Sequence, residues 1–436
     1  MINLPETGKE RIVIIGGGFA GLALIKELRK SDFQIVLLDK NNYHQFQPLF
    51  YQVAMSGLEP SSISFPFRKL FQKEKHIYFR VAEVKKIDPV KKRLDTDFGI
   101  VNYDYLVIAT GADTNFFGNE GIARKAIPMK SVSEALFLRN RILADYEEAL
   151  LEPQYEDRQP LLDIVVVGGG PTGVEVAGSL AEMKKFILPK DYPELNPEEV
   201  NIYLMEGLDT LLAGMSEKSG KEAKYYLEKL DVNVMLNTMV TGFDGRMVIT
   251  RDGKEIEAFK VIWAAGVKGS YPEGLPEEAR VRGNRLEVNE QLEVKGTRDI
   301  FAIGDVAYRE EQAYPKGHPQ VAQVAIQMGK FLARKFKGKS NAKGFSYNDL
   351  GSMATIGRNK AVVDLPRFHF KGFFAWVVWL VVHLRQILGI KNKFFVFLNW
   401  VWSYLFYDQS LRLIIRPRVP KSVNRGKDKE VKLVDP

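Results

Sequence analysis

The chain has no cysteine among its 436 residues and only five histidines. Without a thiol, disulfides, cysteine nucleophiles, iron–sulfur clusters and cysteine-held zinc are excluded outright. No metal site is expected. Acid is scarce in one region. Between Pro366 and Arg418, eight Lys or Arg face a single acid, Asp408, so this stretch nets +7 of the formal +8. The basicity therefore belongs to one cationic face, which argues against a nucleic-acid-coating protein. No secretory signal precedes the first predicted strand at Arg11, so the cytoplasm is the expected compartment. With 45% hydrophobic and 27% charged residues, the composition is globular, and the length suits two or three domains.

Glycine is placed where phosphate chemistry needs it. "RIVIIGGGFAGLALIKEL" predicts a β-branched strand, a tight turn and a helix, with Gly16, Gly18 and Gly21 in G-x-G-x-x-G spacing. The first glycine turns the chain, the second admits a pyrophosphate, and the third lets helix and strand pack closely. The helix N-terminus then offers free N–H groups to the phosphates. "FQIVLLDK" follows and ends in Asp39, where a carboxylate can accept ribose hydroxyls.

The same unit recurs. "LDIVVVGGGPTGVEVAGSLAEM" carries Gly168, Gly170 and Gly173, and "VNIYLMEG" ends its second strand in Glu206. A carboxylate there binds a 2′-hydroxyl and repels a 2′-phosphate, which favours NADH over NADPH. Three further segments, "YDYLVIATGA", "FKVIWAAGV" and "RDIFAIGDVA", read as strands ending in small-residue turns.

In this order the motifs resemble the two-dinucleotide-binding-domain flavoproteins, over roughly residues 10–335. The resemblance implies an α/β chain with two Rossmann-like domains, one for FAD and one for NADH. Relatives that pass electrons to a cysteine pair are eliminated by composition, so another acceptor is needed. "AQVAIQ" after the Gly304-Asp305 turn, followed by "KGFFAWVVWLVVHL", resembles the type II NADH dehydrogenases, or alternative NADH:quinone oxidoreductases.

That resemblance implies FAD contacts at Gly16, Gly18, Phe19, Ala20, Gly21, Asp39, Lys40, Ala82, Thr110, Gly111, Asp305, Ala322 and Lys371. NADH contacts are expected at Gly168, Gly170, Pro171, Thr172, Gly173, Glu206, Ala265 and Gly266. Glu175 is expected near the nicotinamide–flavin stack, and Gln323 and Gln327 beside a quinone (menaquinone or ubiquinone). The segment Asn41–Ala54 is expected to cover the flavin. Each has a plainer reading: an early-helix acid for Glu175, a solvated face for the glutamines, a packed loop for 41–54. A helix is predicted to start at Pro319, suited to the first helical position. His44 and His318 are candidate proton donors, or structural.

The C-terminal apolar runs Phe373–Leu384 and Phe394–Tyr407 would be helices of about 18 and 21 Å, short of the roughly 30 Å of hydrocarbon. Two helices lying in the interface fit better, with Trp and Tyr at headgroup depth and Lys and Arg on anionic lipid. A buried helical pair or a homodimer face is the alternative. The expected organisation is an FAD domain over 1–120 and 290–345, an NADH domain over 121–289, a membrane-anchoring segment over 346–420 and a mobile tail over 421–436. The expected protein is a homodimer, peripheral on the cytoplasmic face of the cell membrane, that oxidises NADH without pumping protons. A soluble ferredoxin or rubredoxin reductase and a low-turnover flavin redox sensor are the rivals.

Overall fold

The computed structural model describes residues 3–339, 344–407 and 411–415. The tail 421–436, like Asp408, Arg416 and Arg418, lies outside the described residues.

The N-terminal half is a five-stranded parallel sheet in the order Ile300–Ala302, Tyr105–Ile108, Arg11–Ile15, Gln34–Asp39, Ile77–Val81. Its inner strands are almost wholly apolar because both faces are covered, as parallel sheets require. Helix α1 (Phe19–Leu28) leaves the first strand at the glycine turn and buries Leu22, Leu24, Ile25 and Leu28. A short helix, α2 (Phe50–Ala54), follows the second strand and sits outside this core, against the other half of the molecule.

Helix α3 (Val132–Ala149) joins the halves. It opens where Ser131 Oγ accepts the Glu134 N–H at 3.2 Å, a start signal legible as S-x-x-E. Lys260 and Asp145, both almost fully buried, pair at 2.9 Å and fix α3 to the second sheet. Arg141 adds a second partner to Asp145 at 2.8 Å. Removing one member would strand a buried charge, at about 3–5 kcal/mol.

The second sheet repeats the first: Ile127–Pro128, Lys260–Trp263, Ile164–Val167, Ile202–Met205, Val232–Met235, all parallel. Helix α4 (Pro171–Phe186) follows its glycine turn. The expected Asp-Gly hairpin is present, Met247–Thr250 against Glu255–Glu257. The expected boundary at 289 is too late. Arg280–Val281 pairs with Arg285–Glu287, which pairs in turn with Ala307–Tyr308, and Ala279, Leu286 and Val288 belong to the first core. The chain re-enters the first half just after Val267–Gly269, which pairs with Ala112–Thr114 as a two-stranded bridge.

Helix α5 (Ala322–Phe336) then packs across α1, where Gly329 lies so close to the Ala20 and Leu24 backbone that a side chain would collide. It begins three residues later than Pro319, because the Val321 N–H turns back to the Pro319 carbonyl at 3.0 Å and Gln320 Nε2 donates to the Asp305 carbonyl at 3.1 Å.

A three-stranded antiparallel sheet, Ser352–Thr355, Ala361–Leu365 and Phe368–Lys371, leads into α6 (Phe373–Gln386) and α7 (Ile390–Phe406). Neither is long and apolar enough to cross a membrane. Their inner face is true core: Ala375, Trp379 and Val396 are buried. Trp400 Nε1 donates to Gln52 at 2.7 Å, and Asn392 reaches the Ser61 and Ser64 carbonyls. Among the described residues, nothing covers their outer face. Phe374 is 77% exposed, Ile390 88% and Leu405 63%.

Candidate active site

The two glycine turns are built alike. At Gly16 and Gly168 the backbone has positive φ and presses on the strand opposite, so an added Cβ would strike Ala109 in one half and Ala264 in the other. Gly21 and Gly173 lie against their own turns, with no room for a side chain. Gly18 and Gly170, by contrast, face nothing within 4 Å. Each is the N-cap of its helix without a side-chain cap, so first-turn N–H groups stay open for an anion.

Asp39 and Glu206 hold these turns. Asp39 Oδ2 accepts the Gly17 N–H at 2.7 Å and Oδ1 the Asn41 N–H at 2.7 Å. Glu206 Oε2 accepts the Gly169 N–H at 2.5 Å and Oε1 the Leu208 N–H at 2.8 Å. Each oxygen keeps a lone pair for a ribose hydroxyl. Burial raises the Asp39 carboxyl, against the two backbone donors that favour its ionised form.

One cavity of about 1360 Å³ joins both halves to the C-terminal segment. At one end are Gly16, Gly18, Phe19, Ala20, Asp39, Lys40, Ala82, Thr110, Gly111 and Asp305. Pro171, Thr172, Glu175 and Val267 line its side from the second half. Val378, Val382, His383 and Gln386 of α6 also line it, as do Tyr43, His44, Gln45 and Tyr51. The open glycines, uncapped N-termini and lone-pair-bearing acid fit the FAD that this end is expected to hold. Ala265, against Gly168, and Gly266, against Phe117, follow their strand and do not line this cavity.

Glu175 lies 8% exposed on α4. Burial pushes its carboxyl up to about 8, against the Thr355 N–H (3.5 Å) and the Trp379 indole. Trp379 Nε1 closes no hydrogen bond of its own but stands near enough to favour the carboxylate. Tyr51, fully buried, is raised well above the usual phenol value by burial and by Glu175. It therefore stays protonated.

Gln323 and Gln327 line the cavity but are already engaged. Gln323 accepts the Leu350 N–H at 3.0 Å and donates to the Gly351 carbonyl at 2.9 Å. Gln327 accepts the Asn348 N–H at 3.0 Å and donates to the Asn348 carbonyl at 2.8 Å. The pair clamps residues 348–351 onto α5. Each amide keeps one N–H and one lone pair. Ala322, at the start of α5, also faces the cavity.

Two candidate residues do not line the cavity. Lys371 lies outside the cavity, because its strand ends on the far side of the hairpin and Nζ pairs with Glu222 at the surface. His318 is buried among Tyr314, Phe345 and Tyr347, 3.4 Å from Glu311, and does not line the cavity. His44 does line it. Its Nδ1 contacts the Gly17 carbonyl at 2.9 Å, and burial lowers the ring to about 4.

Sequence reasoning gave no role to Trp379 or His383 and reached Tyr51 only as part of the segment Asn41–Ala54. His383 Nδ1 lies 2.7 Å from the Trp379 carbonyl, which can only accept, so the neutral ring carries its proton there. Burial lowers it to about 4. The available signal was spacing: Trp379 and His383 fall one turn apart on a helix whose charged and amide side chains, Arg385 and Gln386, are confined to its last turn.

The sequence matches the pyridine nucleotide-disulphide oxidoreductase family over residues 10–329 and the NDH2 C-terminal domain over residues 350–407. It is 37% identical, over 91% of its length and 88% of the relative's, to the type II NADH:quinone oxidoreductase NdhA of Mycobacterium tuberculosis. It is 27% identical, over 91% and 81%, to the external NADH-ubiquinone oxidoreductase 2, mitochondrial, of Saccharomyces cerevisiae. The fold superposes on NDH2 of Plasmodium falciparum in complex with NADH with a TM-score of 0.85, at 23% identity, covering 94% of this chain and 100% of that one. Two joined glycine-turn domains, a thiol-free cavity between them and a matching C-terminal segment leave one conclusion. The chain belongs to the type II NADH:quinone oxidoreductases, FAD-dependent enzymes that oxidise NADH with a quinone and pump no protons.

Proposed function

We propose that the large cavity is where NADH and quinone meet the flavin, with the residues of this chain in distinct roles. The carrying observation is the cavity itself, which is lined by the Gly16–Ala20 turn, by Glu175 and by Val378, Val382, His383 and Gln386 of α6. Bound FAD supplies hydride acceptance and two-electron release. The Gly16–Gly21 turn and Asp39 hold its diphosphate and ribose, and the Asp305 turn and the start of α5 border its rings. Gly168–Gly173 and Glu206 hold NADH, whose nicotinamide end reaches Pro171, Thr172 and Glu175. Gln323, Gln327 and the clamped segment 348–351 shape the quinone pocket. Lys371 is left out of this assignment.

The exposed face of α6 and α7 is the membrane contact. Arg385, Lys391 and Lys393 flank it and suit anionic headgroups, at about 1 kcal/mol each near the surface. Association is peripheral, on the cytoplasmic face, where NADH is available. A homodimer sharing part of this apolar face belongs to the same proposal.

The test is spectral. Purified protein should show a flavin band that NADH bleaches and that ubiquinone or menaquinone analogues restore. Restoration by ferredoxin or rubredoxin, with none by quinone, would overturn the reading.

A further inference from the structure

NADH oxidation by quinone consumes one proton: NADH, H⁺ and quinone give NAD⁺ and quinol. Both electrons and one hydrogen come from NADH, and the second hydrogen comes from water. Glu175 borders the pocket where that proton is used, yet it is buried beneath Trp379. The proton needs a path to it.

A second cavity of about 110 Å³ lies behind Glu175, among α2, α4, the hairpin turn after Thr355, α6 and α7. It has room for a few waters and polar groups to hold them. Tyr51 lines both cavities. Glu175, Ser179 and Glu182 recur at i, i+4 and i+7 on one face of α4, the first on the large cavity and the other two on the small one. Seven residues of helix span about 10 Å. Gly178 lets the hairpin turn lie directly on this stretch, since a Cβ there would meet the Gly357 nitrogen at 2.8 Å.

We propose that the small cavity is the proton inlet: Glu182 takes up the aqueous proton of each turnover and passes it through cavity water, Ser179 and Tyr51 to Glu175. This rests on the quinone-reductase reading above. No electrons move along the path. Each O–H bond that breaks is replaced by one formed at the next oxygen, and Glu182 regains its proton from solvent.

The surroundings suit that task. Glu182 is half-buried and lines the small cavity, whose water is its route to solvent. Facing it are Arg358 and Lys360 from the hairpin, Tyr51 from α2 and Tyr404 from α7. Burial lifts its carboxyl to about 7, against the Arg358 N–H and the charges of Arg358 and Lys360, so both protonation states are accessible near neutrality. Facing Glu175 are Tyr51, Thr355 and Trp379. The Tyr51 hydroxyl accepts the Gln52 amide at 2.8 Å, and Gln52 is held by Trp400, leaving the phenolic proton to be donated. Arg358 is pinned between the rings of Tyr404 and Tyr407, 4.2 and 3.8 Å from their centroids, so the inlet rim is fixed.

The experiment uses FAD-loaded enzyme reduced anaerobically with NADH, then mixed with a short-chain quinone in stopped flow between pH 6 and 9. Wild-type reoxidation should slow as pH rises through about 7, as Glu182 loses its proton. Glu182→Gln should reoxidise about tenfold slower or worse, without that pH dependence, while flavin reduction by NADH is unchanged. Glu182→Ala should recover on adding imidazole, a small acid able to enter the enlarged cavity. Superimposable pH profiles for wild type and E182Q overturn the inlet, as does a slow E182A that imidazole fails to restore. Wild-type flavin that quinone cannot reoxidise at all would instead sink the underlying reading.

Discussion

Glu206 Oε2 accepts the N–H of Gly169 at 2.5 Å, the middle glycine of the second turn, as Asp39 does for Gly17 in the first. The carboxylate thus shapes the phosphate turn and places a negative charge where an adenosine ribose would lie. Glu206→Ala removes both effects. NADPH should gain on NADH in kcat/KM by about tenfold, roughly 1.4 kcal/mol, with NADH itself used less well. Steady-state kinetics with the two nucleotides decide it; unaltered discrimination refutes the role.

Gln323 and Gln327 each exchange two hydrogen bonds with segment 348–351. Replacing both by Leu should release that segment as well as perturb the quinone pocket, at about 1 kcal/mol per hydrogen bond. Hydrogen exchange at the Asn348 and Leu350 amides should accelerate. Flavin reoxidation by quinone should slow while reduction by NADH is spared. Loss of the reductive half instead would place the glutamines elsewhere in the cycle.

The Glu175 carboxyl titrates near 8 when folded, against an ordinary value of 4.5. A raised acid binds its proton more tightly in the folded state. The stabilisation is full below the ordinary value and is lost as pH climbs toward 8, at roughly 1.4 kcal/mol per unit. Glu175→Gln should therefore melt higher than wild type, by a margin that widens from pH 5 to pH 8. A constant margin across that range counts against a buried, raised carboxyl.

Removing everything after Lys371 would strip Trp379 and Val396 from the main core and unfold the protein. A cleaner test of membrane contact charges the outer face alone. Phe374→Glu with Leu405→Glu should abolish sedimentation with anionic vesicles while flavin content is kept. Retained sedimentation would move the contact off this face.

Lys371 pairs with Glu222 at the surface. Lys371→Ala should leave flavin retention unchanged in equilibrium dialysis, and a loosened flavin would restore the lysine to the cofactor site.

Much of this was legible in the chain because glycine spacing and strand-end acids are local. Gly16, Gly18 and Gly21, with Asp39, need only a strand, a turn and a helix to meet, and Gly168–Gly173 with Glu206 repeat the arrangement. The apolar runs of α6 and α7 were equally plain, as was their failure to span a bilayer. Contacts between distant segments were not. Pro319 looked like a helix start, but the Gln320 bond to the Asp305 carbonyl keeps the chain out of the helix until Ala322. Residues 280–288 looked like part of the second domain, and their pairing with Ala307–Tyr308 returns them to the first.

The sequence by itself determined the two dinucleotide-binding units, the absence of a thiol relay and the cationic, aromatic C-terminal stretch, because each depends on residue identity or short-range spacing. Only the tertiary structure decided that Trp379 covers Glu175, that the glutamines clasp residues 348–351, and that Tyr51 stands between two cavities. Those contacts join segments more than twenty residues apart, and side-chain packing across α2, α4, α5 and α6 sets them.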